Sequence, residues 1–209
     1  MIIYLFRHGE TNFNKERRLQ GQIDIPLNEY GRELAKETAA ALGNISWDRA
    51  FSSPLKRALE TAEMILKGRD ILPETDSRLR EMGFGDYEGS DFDLPKKDSG
   101  HRLHDFLCAP HRYVPPAGGE SFQEVTERGW EFFREKILPL EGECKNVLIL
   151  AHGAFNRCIL GRIGGKALEE FWNISLPNCA ASILSLENGV FRIVEESRIY
   201  YENPVNGRP

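Results

Sequence analysis

The chain has 209 residues, of which 41% are hydrophobic and 28% are charged, as is ordinary for a soluble enzyme. Its 27 basic residues are outnumbered by 32 acidic ones, which argues against a nucleic-acid surface, because such a surface needs a basic stripe. No apolar run approaches membrane-spanning length, so no membrane partner is expected. The length suffices for one buried core and nothing marks a boundary, so residues 1–209 are predicted to form a single domain.

The cysteines carry information about the compartment. They show no paired spacing, and the N-terminus has no apolar secretory segment, so we expect reduced thiols in a cytoplasmic protein. The cysteines are Cys108, Cys144, Cys158 and Cys179.

The first predicted element is a buried strand from Ile2 to Phe6, a run too brief for a helix and rich in β-branched and aromatic residues. Arg7, His8 and Gly9 follow it directly. In an open α/β sheet, ligands bind at the carboxyl ends of the strands. A histidine and an arginine at such an end suit an anion that is also attacked, and the glycine would let the backbone approach that anion closely.

A polar loop from Glu10 to Tyr30 leaves this strand end. Arg17 and Arg18 within it are interpreted as solvated side chains. Asn14 and Gln20 are different, because the loop must pass the pocket where it leaves the strand.

Helices and a second strand follow the loop. The apolar periodicity predicts a helix from Glu29 to Leu42 and a short strand from Trp47 to Ser52. Ser53-Pro54 is predicted to start another helix, with the serine as cap and the proline as first helical residue, and this helix is expected to continue to residue 67. Arg57 then lies in its first turn, close to a strand end and a helix N-terminus, and both positions favour an anion.

The segment from Ser90 to Gly119 is the least regular part of the chain and is predicted to form a lid over the strand ends. His101, His104, Cys108 and His111 recur in it at helical spacing, and these residue types can bind zinc. However, there is no paired Cys-x-x-Cys, and a proline interrupts any helix before His111. Pocket-lining or surface histidines are therefore favoured, and no metal is predicted.

The second half begins with a helix that Ser121 starts through a capping box with Glu124. A hairpin is predicted near the end of the chain, from Ala180 to Leu186 and from Val190 to Val194, joined at Asn188-Gly189. The polar tail after Tyr201 is expected to be loose.

Between these elements the chain repeats its opening design. The apolar run from Val147 to Leu150 is predicted to be a buried strand, and it is followed by His152, Gly153 and a helix from Phe155 to Ile163. A single histidine at a strand end is more often structural than catalytic. Two of them, on strands that run toward the same edge, indicate a shared site.

The motif Leu5-Phe6-Arg7-His8-Gly9-Glu10-Thr11, with Asn14 three residues on, resembles the signature of the histidine phosphatase (phosphoglycerate mutase-like) superfamily. The resemblance extends over nearly the whole chain. Its further segments are Gln20-Gly21 with Asp24, Pro26-Leu27 and Gly31, Ser52 to Ala58, Leu79 to Gly85, Gly119 to Ser121, and Ala151 to Gly153.

The resemblance implies an α/β fold, a three-layer αβα sandwich with a mostly parallel central sheet, helices on both faces and a small lid insertion at about 90–119. It also implies a phosphomonoester hydrolase of the phosphatase branch that acts on a small phosphorylated metabolite through a phosphohistidine, without metal or cofactor. A homodimer is left open. The residues that would bind phosphate or substrate are Arg7, Asn14, Gln20, Gly21, Arg57, Glu81, His152 and Gly153.

Phosphoryl transfer requires an in-line nucleophile, positive donors around the equatorial oxygens and a proton for the leaving group. Neutral His8 is expected to be the nucleophile, and the guanidinium groups of Arg7 and Arg57 should depress its pKa. His152 is expected to be a cationic or hydrogen-bonding partner of the transferred oxygens. The resemblance assigns the proton donor to Glu81.

Two other functions compete with this one. A cofactor-dependent phosphoglycerate mutase would use the same residues, but Glu10-Thr11 stands where mutases usually have Glu-Ser, and the sequence after Glu81 departs from their Arg-x-Tyr-Gly pattern. A non-catalytic phosphate-binding module would be expected to lack His8 or Glu81, and both are present.

Overall fold

The computed structural model describes residues 1–202. The predicted loose tail falls mainly on residues 203–209, which lie outside the described residues. Within residues 1–202 the centre of the protein is a six-stranded sheet. Its strands are β1 (Ile2–Arg7), β2 (Arg49–Ser52), β3 (Glu74–Thr75), β4 (Asn146–Ala151), β5 (Ala181–Glu187) and β6 (Val190–Arg198).

The strand order is β3-β2-β4-β1-β5-β6. The first four strands in that order are mutually parallel. Strand β5 pairs antiparallel with β1, and β6 pairs antiparallel with β5 to form the predicted hairpin. The predicted mostly parallel sheet is therefore confirmed.

Seven α-helices lie within residues 1–202. Those that pack on the sheet are long, and the three that belong to loops have four or five residues each. They are α1 (Asn12–Lys15), α2 (Glu29–Ala41), α3 (Lys56–Ile65), α4 (Leu94–Lys97), α5 (His104–Cys108), α6 (Phe122–Phe132) and α7 (Gly153–Gly164).

Alternation of side chains along the strands places the two larger apolar clusters of the core on opposite faces of the sheet. On one face, Leu5 and Ile149 pack in the cluster that also holds residues of α6 and α7. On the other face, Phe6 and Leu150 pack in the cluster that holds residues of α3, and α2 packs against α3. The result is the predicted αβα arrangement of three layers.

The register of the sheet brings the two strand-end histidines together. Strands β1 and β4 are parallel neighbours, and Arg7 is paired with Ala151. His8 and His152 directly follow these two residues, so they lie side by side at the same edge of the sheet. Strand β2 lies on the other side of β4, with Ser52 paired to Leu150, and its chain continues into Ser53 at this edge.

Two predicted helix starts are each wrong by two residues. Helix α3 begins at Lys56, and its N-cap Leu55 makes no side-chain cap hydrogen bond, so Ser53-Pro54 precedes the helix. Helix α7 begins at Gly153, directly after His152. The capping box of Ser121 with Glu124 is present as predicted and starts α6.

The predicted lid segment contains α4, α5 and a 3-10 turn at Pro110–Arg112. Phe106, in α5, is only 1% exposed and contacts the rings of Phe122 and Trp172. Its carbonyl also accepts a hydrogen bond of 2.8 Å from the indole of Trp172. The segment is thus joined to the main core by a buried aromatic cluster. None of the helices in residues 1–202 combines the length and the apolar character needed to cross a bilayer.

Candidate active site

A cavity of about 390 Å³ opens at the carboxyl ends of the parallel strands. Of the nine site residues predicted from the sequence, eight line it, and the ninth, His152, is fully buried beside His8. The eight are Arg7, His8, Asn14, Gln20, Gly21, Arg57, Glu81 and Gly153.

The ring of His8 is held in one tautomer. Its Nδ1 lies 2.6 Å from the carbonyl oxygen of Gly9. A carbonyl oxygen can only accept, so Nδ1 carries the hydrogen and Nε2 keeps a free lone pair. His8 therefore presents a neutral, unprotonated ring nitrogen.

The electrostatic surroundings maintain this neutral form. The pKa of His8 lies well below its ordinary value, chiefly because the ring is buried, and then because Arg57 and Arg7 stand close by. The prediction from the sequence was that the two arginines lower the pKa of His8. In the structure they do, but burial lowers it more.

His152 forms a hydrogen bond with a serine that the sequence assigned to helix capping. Its Nε2 lies 2.8 Å from the hydroxyl oxygen of Ser53, and both side chains are fully buried. Burial, then Arg57 and His8, keep the pKa of His152 well below its ordinary value. The predicted cationic form is therefore disfavoured in the protein without an anion, and the hydrogen-bonding form is favoured.

Both predicted arginines are held by backbone carbonyls. Arg57, fully buried, donates from Nη2 to the carbonyl of Gly21 at 2.7 Å and from Nη1 to that of Ile23 at 2.8 Å. Arg7 donates from Nη1 to the carbonyl of Leu176 at 2.5 Å. Burial lowers the pKa of Arg57 to about 10, so its guanidinium remains charged at neutral pH.

Three buried nitrogens at this site have no hydrogen-bond partner within residues 1–202: Nε of Arg7, Nε of Arg57 and Nδ1 of His152. Buried polar groups in native proteins are nearly always satisfied, by the protein, water or a ligand. Three such groups around one histidine make a site suited to an anion that accepts several hydrogen bonds.

The carboxylate of Glu81 lies at the N-terminus of α7. Its Oε1 accepts from the amides of Met82 and Phe155, each at 2.9 Å, and its Oε2 accepts from the amide of Ala154 at 3.1 Å. The free amides and dipole of a helix N-terminus favour an acidic group there. Because α7 begins directly after His152, these bonds fix Glu81 relative to the second histidine.

Asn14 and Gln20 share one hydroxyl group. The oxygen of the Thr11 hydroxyl lies 3.1 Å from Oδ1 of Asn14 and 3.0 Å from Oε1 of Gln20. Asn14 also completes the capping box of α1. Because both amide oxygens face this hydroxyl, their NH₂ groups are the donors left for a ligand in the cavity.

Glycines have two different uses near the site. Gly21 has a φ of 51°, in the left-handed region, and its carbonyl orients Arg57. At Gly9, a Cβ would lie 2.8 Å from the carbonyl oxygen of Gly31. The backbone at Gly31 therefore occupies the space that a Cβ on Gly9 would take, and the close approach of an anion to Gly9 stays a prediction.

Sequence reasoning missed Ser53 and Arg157 and misjudged Arg17. Arg17 forms an ion pair with Asp93 of the predicted lid segment and lines the cavity, so it is not simply solvated. Arg157 lines the cavity from the second turn of α7. The sequence did contain a signal for Arg157. It lies on the helix that follows a strand end, as Arg57 does.

The four potential zinc ligands have separate partners. Nδ1 of His101 accepts from the amide of Leu103, and Nδ1 of His104 lies 2.8 Å from the carbonyl of Pro95. His111 lies 3.5 Å from Glu169, and Cys108 is exposed. In the part of the chain that the structure describes, no group of three or more His, Cys, Asp or Glu side chains could hold a metal ion.

A sequence-family model described as the histidine phosphatase superfamily (branch 1) matches residues 3–197. The chain belongs to this superfamily.

Individual relatives share most of the chain. The adenosylcobalamin/alpha-ribazole phosphatase of Salmonella typhimurium is 30% identical over 190 residues, which are 90% of this chain and 92% of that protein. A 2,3-bisphosphoglycerate-dependent phosphoglycerate mutase of Gloeobacter violaceus is 30% identical over 184 residues, covering 85% and 82%. Among solved structures, Bacillus stearothermophilus YhfR superimposes with a TM-score of 0.85 at 34% identity, covering 93% of this chain and 96% of that one.

Proposed function

We propose that this protein is a metal-independent phosphomonoesterase that hydrolyses a small phosphorylated metabolite through a phosphohistidine at Nε2 of His8. The observation that carries the proposal is the tautomer of His8, whose Nδ1 is hydrogen-bonded to the carbonyl of Gly9 and whose Nε2 is free. The ring lines the cavity together with two arginines and a carboxylate, those of Arg7, Arg57 and Glu81. Membership of the superfamily and the phosphatase among its relatives support the same chemistry.

In the first step, the lone pair of His8 Nε2 forms a bond to phosphorus while the bond from phosphorus to the ester oxygen breaks. The departing alkoxide takes a proton from Glu81. Oε2 of Glu81 accepts only one backbone hydrogen bond, against two for Oε1, so Oε2 is the oxygen with capacity left to carry that proton.

In the second step, water attacks the phosphohistidine. Glu81, now ionised, takes a proton from this water as the bond from phosphorus to Nε2 breaks, and the lone pair returns to His8. Inorganic phosphate leaves, Glu81 is protonated again, and the enzyme is ready for another turnover.

Charge on the transferred phosphoryl group would be balanced by the three unpartnered nitrogens. Nε of Arg7 and Nε of Arg57 are donors, and so is Nδ1 of His152 in the tautomer whose Nε2 accepts from Ser53. A bound dianion would raise the pKa of His152 from its depressed value and favour its charged form. Donors held in place before the reaction stabilise developing charge without reorganisation.

Phosphoglycerate mutase is the second candidate, because several relatives bear that name. A mutase would keep the phosphoryl group on His8 and return it to a phosphoglycerate. A phosphatase passes the same group to water. The two activities differ in their products, so one assay separates them.

The test is a panel of phosphomonoesters and phosphoglycerates assayed in excess chelator. We expect release of inorganic phosphate, together with acid-labile labelling of the protein by substrate phosphate. His8→Asn should abolish both. His111→Asn serves as the matched control, because His111 is exposed and does not line the cavity. Interconversion of phosphoglycerates without release would favour the mutase, and activity that is lost with the chelator and restored by metal would contradict the metal-independent mechanism.

A further inference from the structure

The cavity carries more positive charge than the proposed reaction uses. Among the described residues that line it, the one acidic side chain is Glu81, beside five arginines and a lysine. The mechanism assigns roles to two of these cations. Of the others, Arg17 is paired with Asp93 and Arg18 with Glu16. Lys96 is exposed and lies over the ring of Phe92.

Arg157 is the cation inside the cavity that remains unassigned. Its Nε donates to the carbonyl of Ile174 at 3.0 Å and its Nη1 to that of Gly153 at 3.1 Å. Its guanidinium carbon lies 4.9 Å from the centre of the Trp172 ring. Two hydrogen bonds and a stacked indole therefore hold the group in a single orientation, as a preformed binding site requires.

No carboxylate within residues 1–202 forms an ion pair with Arg157, and no group there accepts a hydrogen bond from its Nη2. Burial, followed by repulsion from Arg7, lowers its pKa to about 10. A largely buried, charged guanidinium that is left without an acid partner is costly. Such a group gains more than an exposed one when an anion binds beside it.

The position of Arg157 relative to the transferred phosphate follows from Gly153. A Cβ on that glycine would lie 3.3 Å from Nη1 of Arg157 and 3.6 Å from Nε of Arg7. The two guanidinium groups therefore flank the first residue of α7, with Arg7 assigned to the phosphoryl group and Arg157 displaced toward Trp172.

We propose that Arg157 forms a second-anion subsite, which selects phosphomonoesters that carry a further carboxylate or phosphate beside the ester. This inference rests on the proposed function. It defines the substrate class as a doubly anionic molecule.

The wall near this subsite indicates the character of the rest of the substrate. Phe92, Phe106 and Leu107 of the predicted lid segment line the cavity together with Trp172 and Ile174. This wall suits a flat or apolar body between the two anions.

The experiment compares kcat/KM for three esters with the same body: phenyl phosphate, meta-carboxyphenyl phosphate and meta-phenylene bisphosphate. The wild-type protein should prefer one or both of the doubly anionic esters, and the preferred one identifies the second anion as carboxylate or phosphate. Arg157→Met should lower kcat/KM for that ester by roughly 10- to 100-fold, as expected for a lost charge-assisted hydrogen bond, and far less for phenyl phosphate. Arg157→Lys should restore part of the preference.

Arg162→Met is the matched control. Arg162 lies on the same helix, is exposed, and stacks on Trp130 at 4.7 Å as Arg157 stacks on Trp172. This variant should leave the preference between the esters unchanged. Thermal unfolding of both variants separates loss of structure from loss of selectivity.

Two outcomes would overturn the subsite. One is equal loss on all three esters in Arg157→Met, which would assign Arg157 to the transferred phosphate or to folding. The other is a wild-type protein without preference for a second anion. In either case, phosphate release that depends on His8 would leave the proposed phosphatase intact, whereas release unaffected by His8→Asn would overturn the proposed function itself.

Discussion

The imidazole rings of His8 and His152 lie 5.2 Å apart, centre to centre, and are tilted by 56° to each other. They are 144 positions apart in the chain, and the parallel register of β1 with β4 brings them together. Each ring has one nitrogen engaged by the protein, through Gly9 and Ser53 respectively. Of the remaining nitrogens, Nε2 of His8 belongs to a ring that lines the cavity, whereas Nδ1 of His152 is buried and has no hydrogen-bond partner among the described residues.

The first prediction concerns the pH dependence of kcat/KM. The pKa of His8 lies well below 6.5, so its neutral, nucleophilic form persists as the pH falls through 6.5. We expect the acidic limb of kcat/KM to lie below pH 6.5 for a substrate whose phosphate does not titrate in that range. An acidic limb at or above the ordinary histidine value would contradict the proposed protonation state of His8.

The second prediction concerns stability. In the unfolded chain His152 takes up a proton near pH 6.5, whereas in the folded protein its pKa is well below that value. The unfolded state thus binds more protons below pH 6.5, and stability falls as the pH drops through that window. Above pH 6.5 His152 is neutral in both states, so no stability is lost to its protonation there. In His152→Gln, the slope of unfolding free energy against pH should be shallower by up to about 1.4 kcal/mol per pH unit, measured by denaturant titration from pH 6.5 to 5.

The parts of the fold that the sequence predicts are those that local patterns determine. Short apolar runs identified β1 and β4, and the histidine that ends each run located the edge of the sheet where ligands bind. The hairpin of β5 and β6 followed from Asn188-Gly189. These signals are local because side-chain alternation and turn chemistry act over a few residues.

What the sequence could not predict depends on contacts between distant segments. Ser53 resembles a helix cap in its local context, yet its hydroxyl group is used by His152. Gly9 is predicted to let an anion approach, and the structure adds a second reason for a glycine there, because the backbone at Gly31 occupies the space of a Cβ. In each case a tertiary neighbour, which no local pattern contains, decides the use of the residue.

The third prediction tests Ser53 as a positioning residue. Ser53→Ala removes the hydrogen bond to Nε2 of His152 and leaves the tautomer of that ring undefined. We expect kcat to fall by roughly 3- to 10-fold, which corresponds to about one net hydrogen bond. NMR of the labelled imidazole should show a mixture of tautomers. Ser52→Ala is the control, because Ser52 is equally buried but bonds to the carbonyl of Ser53; similar effects of both variants on kcat and on the NMR signal would count against the role.

The fourth prediction concerns Arg57. Arg57→Ala should lower kcat on the order of 10²- to 10³-fold, the usual effect of removing one donor to developing charge. Arg69→Ala provides the comparison, since Arg69 also donates to two backbone carbonyls, those of Leu42 and Ile45, but does not line the cavity. If both variants lost stability and activity to the same extent, the effect of Arg57 would be structural.

The last prediction starts from the contacts behind Glu81. Arg128, on α6, forms an ion pair with Glu120, with Nε 2.7 Å from Oε1. Its Nη2 donates to the carbonyl oxygen of Glu81 at 3.1 Å. Its Nη1 donates to the carbonyl oxygens of two residues just before Glu81 in the chain. The ion pair thus supports the backbone from which the carboxylate of Glu81 projects. The two preceding residues are Arg78 and Arg80.

Arg128→Met should displace this backbone and lower the free energy of unfolding by about 2–3 kcal/mol, because several charge-assisted hydrogen bonds are lost together. Through Glu81 it should also lower kcat for esters with a poor leaving group, and much less for p-nitrophenyl phosphate, whose leaving group needs little help from an acid. Arg134→Met, at an exposed position just after α6, should change neither quantity. In a Glu81→Gln background, Arg128→Met should have no further effect on kcat if Arg128 acts through Glu81, and additive losses in that double variant would mean that the two residues act independently.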